Sequence, residues 1–481
     1  MRTVTRLAAR GMVFGVRVLH ASAEVAPFSK TGGLGDVAGA LPAALAEEGI
    51  EVLVVTPWYA ELGDGARPLW IGDVEVPYGG STEPVGVGTL ERGGVRYVFV
   101  GHEDFSREEL YGYPDDVRRF TRFCRAVPAV AARVGFVPDV VHAHDWHAGL
   151  LPALLERGWH LPAGFPGRPS IATVHNVQFQ GVAPLAHVLH WGRLPLELIG
   201  SHLEHEEQAN LLRAAVGFAD LVTTVSPRYA EELTESAYGF GLETTFRALG
   251  RRLVGILNGI DVRVWDPATD RHIAANFGSD DPSGKLACRS ALLRELRLAD
   301  GGPLLGVVSR LADQKGIDLL LDALPSLQEQ GWRLALLGRG STSLETALSA
   351  ASAAAPERIA VRLTYDEGLA HRIYAGSDAL AVPSRFEPCG LAQLIAQRYG
   401  TLPLVRATGG LIDTVTHGHD GFVFEDASAS ALAAAAALAR PHWDTPAWAR
   451  MQAAAMAHDR SWQASARAYL ARYGEAMGDD A

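Results

Sequence analysis

An α/β protein built of two Rossmann-like, doubly wound parallel-sheet domains facing a central cleft is predicted by three features of the sequence. Apolar runs of strand length alternate with helical patterns along nearly the whole chain, an order that demands parallel strands joined by right-handed crossovers. The alternation falls into two series, separated by NGIDVRVWDPATD at residues 258–270, a stretch rich in turn formers and expected to be the hinge. At 481 residues the chain is also too long for one ordinary core.

The first series opens with a strand at residues 16–21 (VRVLHA). A helix over 35–48 follows, with Ala and Leu on one face and Gly49 just past its end. Strands are expected at 51–56, 95–100, 140–142, 171–174, 221–225 and 253–256, with a helix over 116–134. The second series places strands at 304–309, 333–337, 359–362, 379–382 and 402–406, and a helix at 391–400. Ala-rich stretches near 347–355 and 430–439 are helix formers. The expected domains are residues 1–260 and 261–460, with a terminal helix over 461–481. Arg2, Arg6 and Arg10 with no acid are weakly leader-like, but the one apolar run there contains Arg17 and reads as the first strand. A disordered extension over residues 1–15, with Met12 as the true start, is the expectation.

Composition narrows the function. A net charge of -12 argues against nucleic acid, whose phosphates call for a basic patch, and permits a neutral polymer. No segment approaches the run of about 20 apolar residues that a membrane span needs. Cys124, Cys288 and Cys389 have no CxxC spacing, so neither a disulfide framework nor a zinc site is suggested, and a reducing cytoplasm fits.

Chemistry-bearing residues gather where strands end, the place where open α/β sheets hold ligands. KTGGLGDV at residues 30–37 joins the first strand to the first helix, so its glycines admit a close ligand and Lys30 brings a positive charge. The glycines at 32, 33 and 35 do not fit GxGxxG. Thr56 and Pro57 stand where a ribose-binding acid belongs, which disfavours hydride transfer. Arg310 and Lys315 follow a strand, where two cations can neutralise a leaving diphosphate. His142, His144, Asp145 and His147 invite a metal hypothesis, but HAHDWH lacks any usual zinc spacing and no metal is expected. His175 ends another strand, where a satisfied core histidine is the ordinary alternative. PSRFEPCGL at residues 383–391 puts Glu387 and Cys389 between a strand and a helix. Its plain reading is Ser384 as cap, Pro388 as turn residue and Glu387 as a dipole-favouring acid. Cys389 has no base in reach and is expected to pack. Thr408, Gly409 and Gly410 form a further loop that could offer N–H groups to phosphates.

Four of these motifs together, KTGGLGDV, HAHDWHAGL at 142–150, VSRLADQKG at 308–316, and PSRFEPCGL followed by YGTLPLVRATGGLIDTV at 399–415, resemble the bacterial glycogen synthases and plant starch synthases that use ADP-glucose. The resemblance spans nearly the whole chain. It implies the two-domain GT-B arrangement, with an acceptor side in the first domain, a nucleotide-sugar side in the second, and the terminal helix returning to the first. The implied reaction moves glucose from ADP-glucose to the non-reducing end of an α-1,4-glucan with retention of configuration, and needs no cofactor.

By the same resemblance, Lys30, Gly32 and Gly33 contact the donor diphosphate and Asp36 lies beside the donor sugar. His175, with Asn176 after it, sits at the donor glucose, and His144 and Asp145 touch sugar hydroxyls. Arg310 and Lys315 hold phosphates, and Glu387 holds glucose hydroxyls. Asn258, Cys389, Gly390, Leu391, Thr408, Gly409 and Gly410 complete substrate binding, and Tyr365 stacks on the base. Two positions depart from the pattern: Arg213 where lysine is common and Asp116 where asparagine is usual. A transferase using UDP-glucose or making a small sugar is the nearest alternative. A non-catalytic glucan-binding relative would be expected to have lost Lys30, Arg310, Lys315 or Glu387, and all four are present.

Overall fold

A computed structural model describes residues 15–478, which divide into two units. Apart from Gly15, the expected N-terminal extension, Met12 included, lies outside the described residues. The first unit runs to Val225, resumes at Ala230–Ile256 and takes in the chain from Trp462; the second holds Ser226–Tyr229 and Leu257–Ser461. These limits differ from a boundary at 260 for hydrogen-bonding reasons. Ser226 Oγ donates to Pro388 O, the Arg228 N–H to Asp413, and the Ile260 N–H to Arg460 O.

In the first unit the strands are β1 (Arg17–Ala21), β2 (Glu51–Pro57), β3 (Leu69–Tyr78), β4 (Ser81–Arg92), β5 (Val95–Gly101), β6 (Val140–His144), β7 (Ser170–Val174), β8 (Val182–Pro184), β9 (Glu204–His205), β10 (Gln208–Asn210), β11 (Leu221–Thr224) and β12 (Leu253–Gly255). The main sheet has the order β12-β11-β7-β6-β1-β2-β5-β4-β3, parallel as far as β5. Strand order reverses between β1 and β6, so their carboxyl ends flank a topological switch point.

The outer strands β3 and β4 are antiparallel, where a purely parallel sheet was expected. Tyr78 pairs with Ser81 across the two-residue turn Gly79-Gly80, and Gly79 has φ +54°, a conformation glycine adopts without steric cost. Strands β8, β10 and β9 form a separate small antiparallel sheet. The helix Gly33–Glu47 buries Val37, Leu41, Ala44 and Leu45, spaced by three or four residues on one face, in the same core as Trp462, Ala466, Tyr469 and Tyr473 of the last helix, Trp462–Ala476.

The second unit is a six-stranded parallel sheet of β13 (Leu304–Val308), β14 (Arg333–Leu337), β15 (Ile359–Arg362), β16 (Ala379–Val382), β17 (Leu402–Arg406) and β18 (Phe422–Phe424), ordered β15-β14-β13-β16-β17-β18. Alternate residues feed opposite cores. Leu305, Val307, Leu334, Leu336, Ala379, Ala381, Leu402 and Leu404 face one side, and Leu304, Ala335, Leu337, Leu380, Val382 and Val405 the other. Burial on both faces explains why these strands read as unbroken apolar runs. The order reverses between β13 and β16, which places their following loops side by side. The turn-rich segment after Asn258 is tied into this unit. Asp270 accepts hydrogen bonds from His371 Nδ1 at 2.7 Å and the Tyr399 hydroxyl at 2.6 Å, and Trp265 stacks on His371.

Candidate functional site

In the second unit the loops after β13 and β16 are in backbone contact. Gly316 has φ +63°, and a Cβ there would lie 2.0 Å from Pro383 O, so a side chain is excluded both by conformation and by space. This approach brings Lys315 Nζ to 2.6 Å from Glu387 Oε2. Ser384, which the sequence suggests as a cap, instead donates from Oγ to the same carboxylate oxygen at 2.9 Å; the helix that follows starts only at Ala392. Glu387 is buried and Arg310 exposed, and no acid among the described residues pairs with the Arg310 guanidinium.

The 387–391 turn is held from behind. Gln393 Nε2 donates to Cys389 O, Gly390 O and Thr414 Oγ1. Gly390 has φ +74°. The N–H groups of Cys389, Gly390 and Leu391 meet no acceptor among the described residues. Burial pushes the Cys389 thiol up to about 12, against the pull of the Asn258 N–H beside it, so the sulfur is neutral and packs rather than attacks. Asn258 is buried, and its Oδ1 has no partner among the described residues. Tyr365 is 83% exposed at the head of the helix Glu367–Gly376, a free aromatic face.

The loop after β17 plays a different part from the one its residues suggest. The Thr408 N–H donates to Arg406 O, and the Gly410 N–H to Glu387 O and Pro388 O, so neither is offered to a ligand. A Cβ on Gly409 would lie 1.9 Å from Glu387 O and one on Gly410 2.2 Å from Cys389 O. These glycines let one loop lie on the other, and so set the height of Glu387.

In the first unit the loop after β1 carries Lys30, whose Nζ is 2.7 Å from Asp36 Oδ1 in the first turn of the helix. The buried Glu24 carboxylate accepts the Thr31 N–H at 2.5 Å, the Thr31 hydroxyl at 2.8 Å and the Gly32 N–H at 3.1 Å. An internal anion thus takes two N–H groups of the glycine-rich loop. Spacing gave no sign of this, although an acid within the apolar run after a strand was a usable signal. Gly32 is extended (φ -159°), and a Cβ on Gly32 or Gly33 would meet none of the described residues within 4 Å. Among the described residues, neither backbone strain nor packing asks for glycine at these two positions.

His144 needs correction. His144 has zero exposure; its Nε2 lies 3.0 Å from His20 Nδ1 and its Nδ1 3.0 Å from His175 Nε2, which leaves no ring nitrogen for a sugar. Asp145, at φ +56°, accepts the His175 N–H at 2.7 Å and also that of Asn176. It braces the strand end on which His175 stands. Burial lowers the His175 imidazole to about 3, so it is neutral. Asn176 Oδ1 accepts the Gln178 N–H at 3.0 Å. The two departures also have local partners. Arg213 donates to Ser201 O and Glu204 O, and Asp116 receives Arg119 Nε and the Gly112 N–H.

The chain is similar to known proteins along nearly its whole length. The starch synthase catalytic domain family matches residues 17–248 and the glycosyl transferases group 1 family residues 289–441. A glycogen synthase of Deinococcus deserti is 47% identical over 95% of this chain and 99% of its own length, and one of Thermus thermophilus 41% identical over 96% and 100%. The catalytic domain of starch synthase IV from Arabidopsis thaliana, solved with ADP and acarbose, superposes with a TM-score of 0.89 at 33% identity, covering 96% of this chain and all of that one. A sucrose-phosphate synthase from Thermosynechococcus elongatus, at 18% identity and a TM-score of 0.62, shares the fold alone. The two α/β units are those of the GT-B glycosyltransferase fold, and the chain belongs to the glycogen synthase and starch synthase family of glycosyltransferases.

Proposed function

We propose that this enzyme transfers glucose from ADP-glucose to the non-reducing end of an α-1,4-glucan, releasing ADP and retaining the anomeric configuration. The observation that carries the reading is the Lys315–Glu387 pair at the switch point of the second unit, with Arg310 exposed in the loop that bears Lys315. When the glycosidic bond breaks, charge builds on the diphosphate. Lys315, a compact cation, and Arg310, a planar fork, stabilise that charge, and this electrostatic term is usually the largest in such chemistry. The N–H groups of Cys389, Gly390 and Leu391 add fixed dipoles at the same turn. Glu387, oriented by Ser384, accepts hydrogen bonds from glucose hydroxyls. Tyr365 offers its exposed ring to the base, and the unpartnered Asn258 Oδ1 is an acceptor for the ligand.

In the first unit, Lys30 meets phosphate oxygens, Gly32 and Gly33 admit the ligand closely to the backbone, and Asp36 and the neutral His175 contact the sugar, with Asn176 beside them. The domains act as acceptor side (first) and donor side (second). The Arabidopsis relative, solved with ADP and acarbose, supports the adenine nucleotide and the glucan. Among the described residues no helix is long and apolar enough to cross a membrane, and Cys124, Cys288 and Cys389 are free thiols; a cytoplasmic location fits both. The test is the linkage formed. Glucose labelled and transferred from ADP-glucose onto glycogen should be released as maltose by an exo-acting β-amylase, and label that resists this digestion would refute the reading.

A further inference from the structure

Behind His175 a chain of buried side chains crosses four neighbouring strands and reaches the last helix. In the sheet register His20 of β1 lies opposite His142 of β6, His144 of β6 opposite Thr173 of β7, and Thr173 opposite Thr223 of β11. The contacts run Thr223 Oγ1 to Thr173 Oγ1 at 2.6 Å, Thr173 Oγ1 to His142 Nε2 at 2.5 Å, and His142 Nδ1 to the Tyr473 hydroxyl at 2.9 Å. They continue from Tyr473 to His20 Nε2 at 3.4 Å, from His20 Nδ1 to His144 Nε2 at 3.0 Å, and from His144 Nδ1 to His175 Nε2 at 3.0 Å. Each of these side chains is at most 1% exposed except His175, at 8%. Burial holds the His20, His142, His144 and His175 rings well below the usual imidazole range, so all are neutral.

A neutral imidazole has one N–H and one bare nitrogen, and a hydroxyl has one hydrogen to give. Linked in series, such groups point their hydrogens the same way unless two donors converge on one hydroxyl, whose own buried hydrogen is then left without an acceptor. If the hydrogens run inward from His175, the hydrogen left over belongs to Thr223, which is fully buried and has Thr173 Oγ1 as its partner among the described residues. If they run outward from Thr223, every buried donor meets an acceptor and the hydrogen left over is on His175 Nδ1, at the exposed end. A buried hydroxyl without an acceptor is costly, so the outward sense prevails.

We propose that Thr223, Thr173, His142, Tyr473, His20 and His144 act as positioning residues that lock His175 in its Nδ1–H tautomer, so that it meets the ligand as a hydrogen-bond donor and not as a base. The effect on turnover rests on the reading that His175 contacts the donor sugar; the tautomer itself does not. Ring nitrogens of His20, His142 and His144 lie within 4.8 Å of one another, so a bound metal ion is the competing use of this cluster.

The experiment uses the full chain with ¹⁵N-labelled histidine and long-range ¹H–¹⁵N correlation, His175 being assigned by its loss in His175→Gln. His175 should show Nδ1 protonated and Nε2 bare near neutral pH. His20→Gln, whose amide can turn either its NH2 or its carbonyl toward His144 Nε2, should mix the two tautomers and lower kcat on the order of tenfold with little change in the KM for donor. His144→Gln, which faces His175 Nε2 with the same choice, is a second cut should His20→Gln not fold. A protonated Nε2 on His175, an unchanged tautomer in the cut variants, or stoichiometric metal in the purified protein would each overturn the proposal. The expected spectrum together with full turnover in His175→Ala would uphold the relay and refute the placement of His175 at the sugar.

Discussion

Lys315 Nζ and Glu387 Oε2 stand 2.6 Å apart at the end of two adjacent strands, with side-chain exposures of 19% and 9%. Neither residue is independent of the other. Removing the lysine leaves a buried carboxylate without its cation, and removing the carboxylate frees the lysine. Lys315→Ala and Glu387→Ala should each lower kcat/KM by about 100-fold or more while the fold survives, and the double variant should lose far less than the product of the two, because groups that act as a unit are not additive. Initial rates of the four proteins check this. Wild-type rates in either single variant would remove that residue from the machinery.

The glycines make a contrast of their own. A Cβ at Gly39 would lie 2.4 Å from Ala26 O, whereas one at Gly33 meets none of the described residues within 4 Å. Gly39→Ala should lower the thermal midpoint by several degrees. Gly33→Ala should leave the midpoint near wild type and raise the KM for donor instead. Equal melting losses for both would show that Gly33 serves packing.

At Gly409 conformation and space act together: φ is +43° and Glu387 O occupies the place of a Cβ. Gly409→Ala should displace the Glu387 turn and cost both stability and turnover, of the order of 2 kcal/mol or more in stability. Urea unfolding and a rate assay on the same preparation would test the pair of effects.

The buried histidines set an acid limit. His20, His142, His144, His147 and His175 are all held below their ordinary value of 6.5 by burial, so the folded state keeps them neutral where the unfolded chain takes up protons. Stability from these groups is present above about pH 6.5 and is lost as pH falls below it. Asp145 opposes them. Burial raises its carboxyl from 3.8 to about 7, so its contribution is full below pH 4 and fades as pH rises through 7. Several histidines outweigh one acid. Urea midpoints should therefore fall from pH 7 to pH 5, and fall more steeply in Asp145→Asn, where the opposing group is gone. A flat profile would contradict the assignment.

Much of this was legible in the sequence because a strand buried on both faces must be apolar throughout, as Leu304–Val308 and Ala379–Val382 are. Strands β3 and β4 escaped because one face is solvated and their residues alternate, though Gly79-Gly80 marked the hairpin. Lys315 and Glu387 could be picked out because each follows a strand directly. His144 could not be assigned correctly, since what occupies it is His20, 124 residues earlier, and His175, 31 residues later. Spacing within a motif carries no record of such partners. Gly409 and Gly410 resembled phosphate-binding glycines for the same reason: the backbone they accommodate belongs to another loop.

The most direct measurement is incorporation of labelled glucose into glycogen from ADP-glucose and, separately, from UDP-glucose, by wild type and Glu387→Ala, with a chelator present. Strong transfer from ADP-glucose, little from UDP-glucose, and near-complete loss in the variant are expected. Well-folded wild-type protein that transfers from neither donor would refute the activity, and a Glu387→Ala variant that transfers at the wild-type rate would refute the role of Glu387.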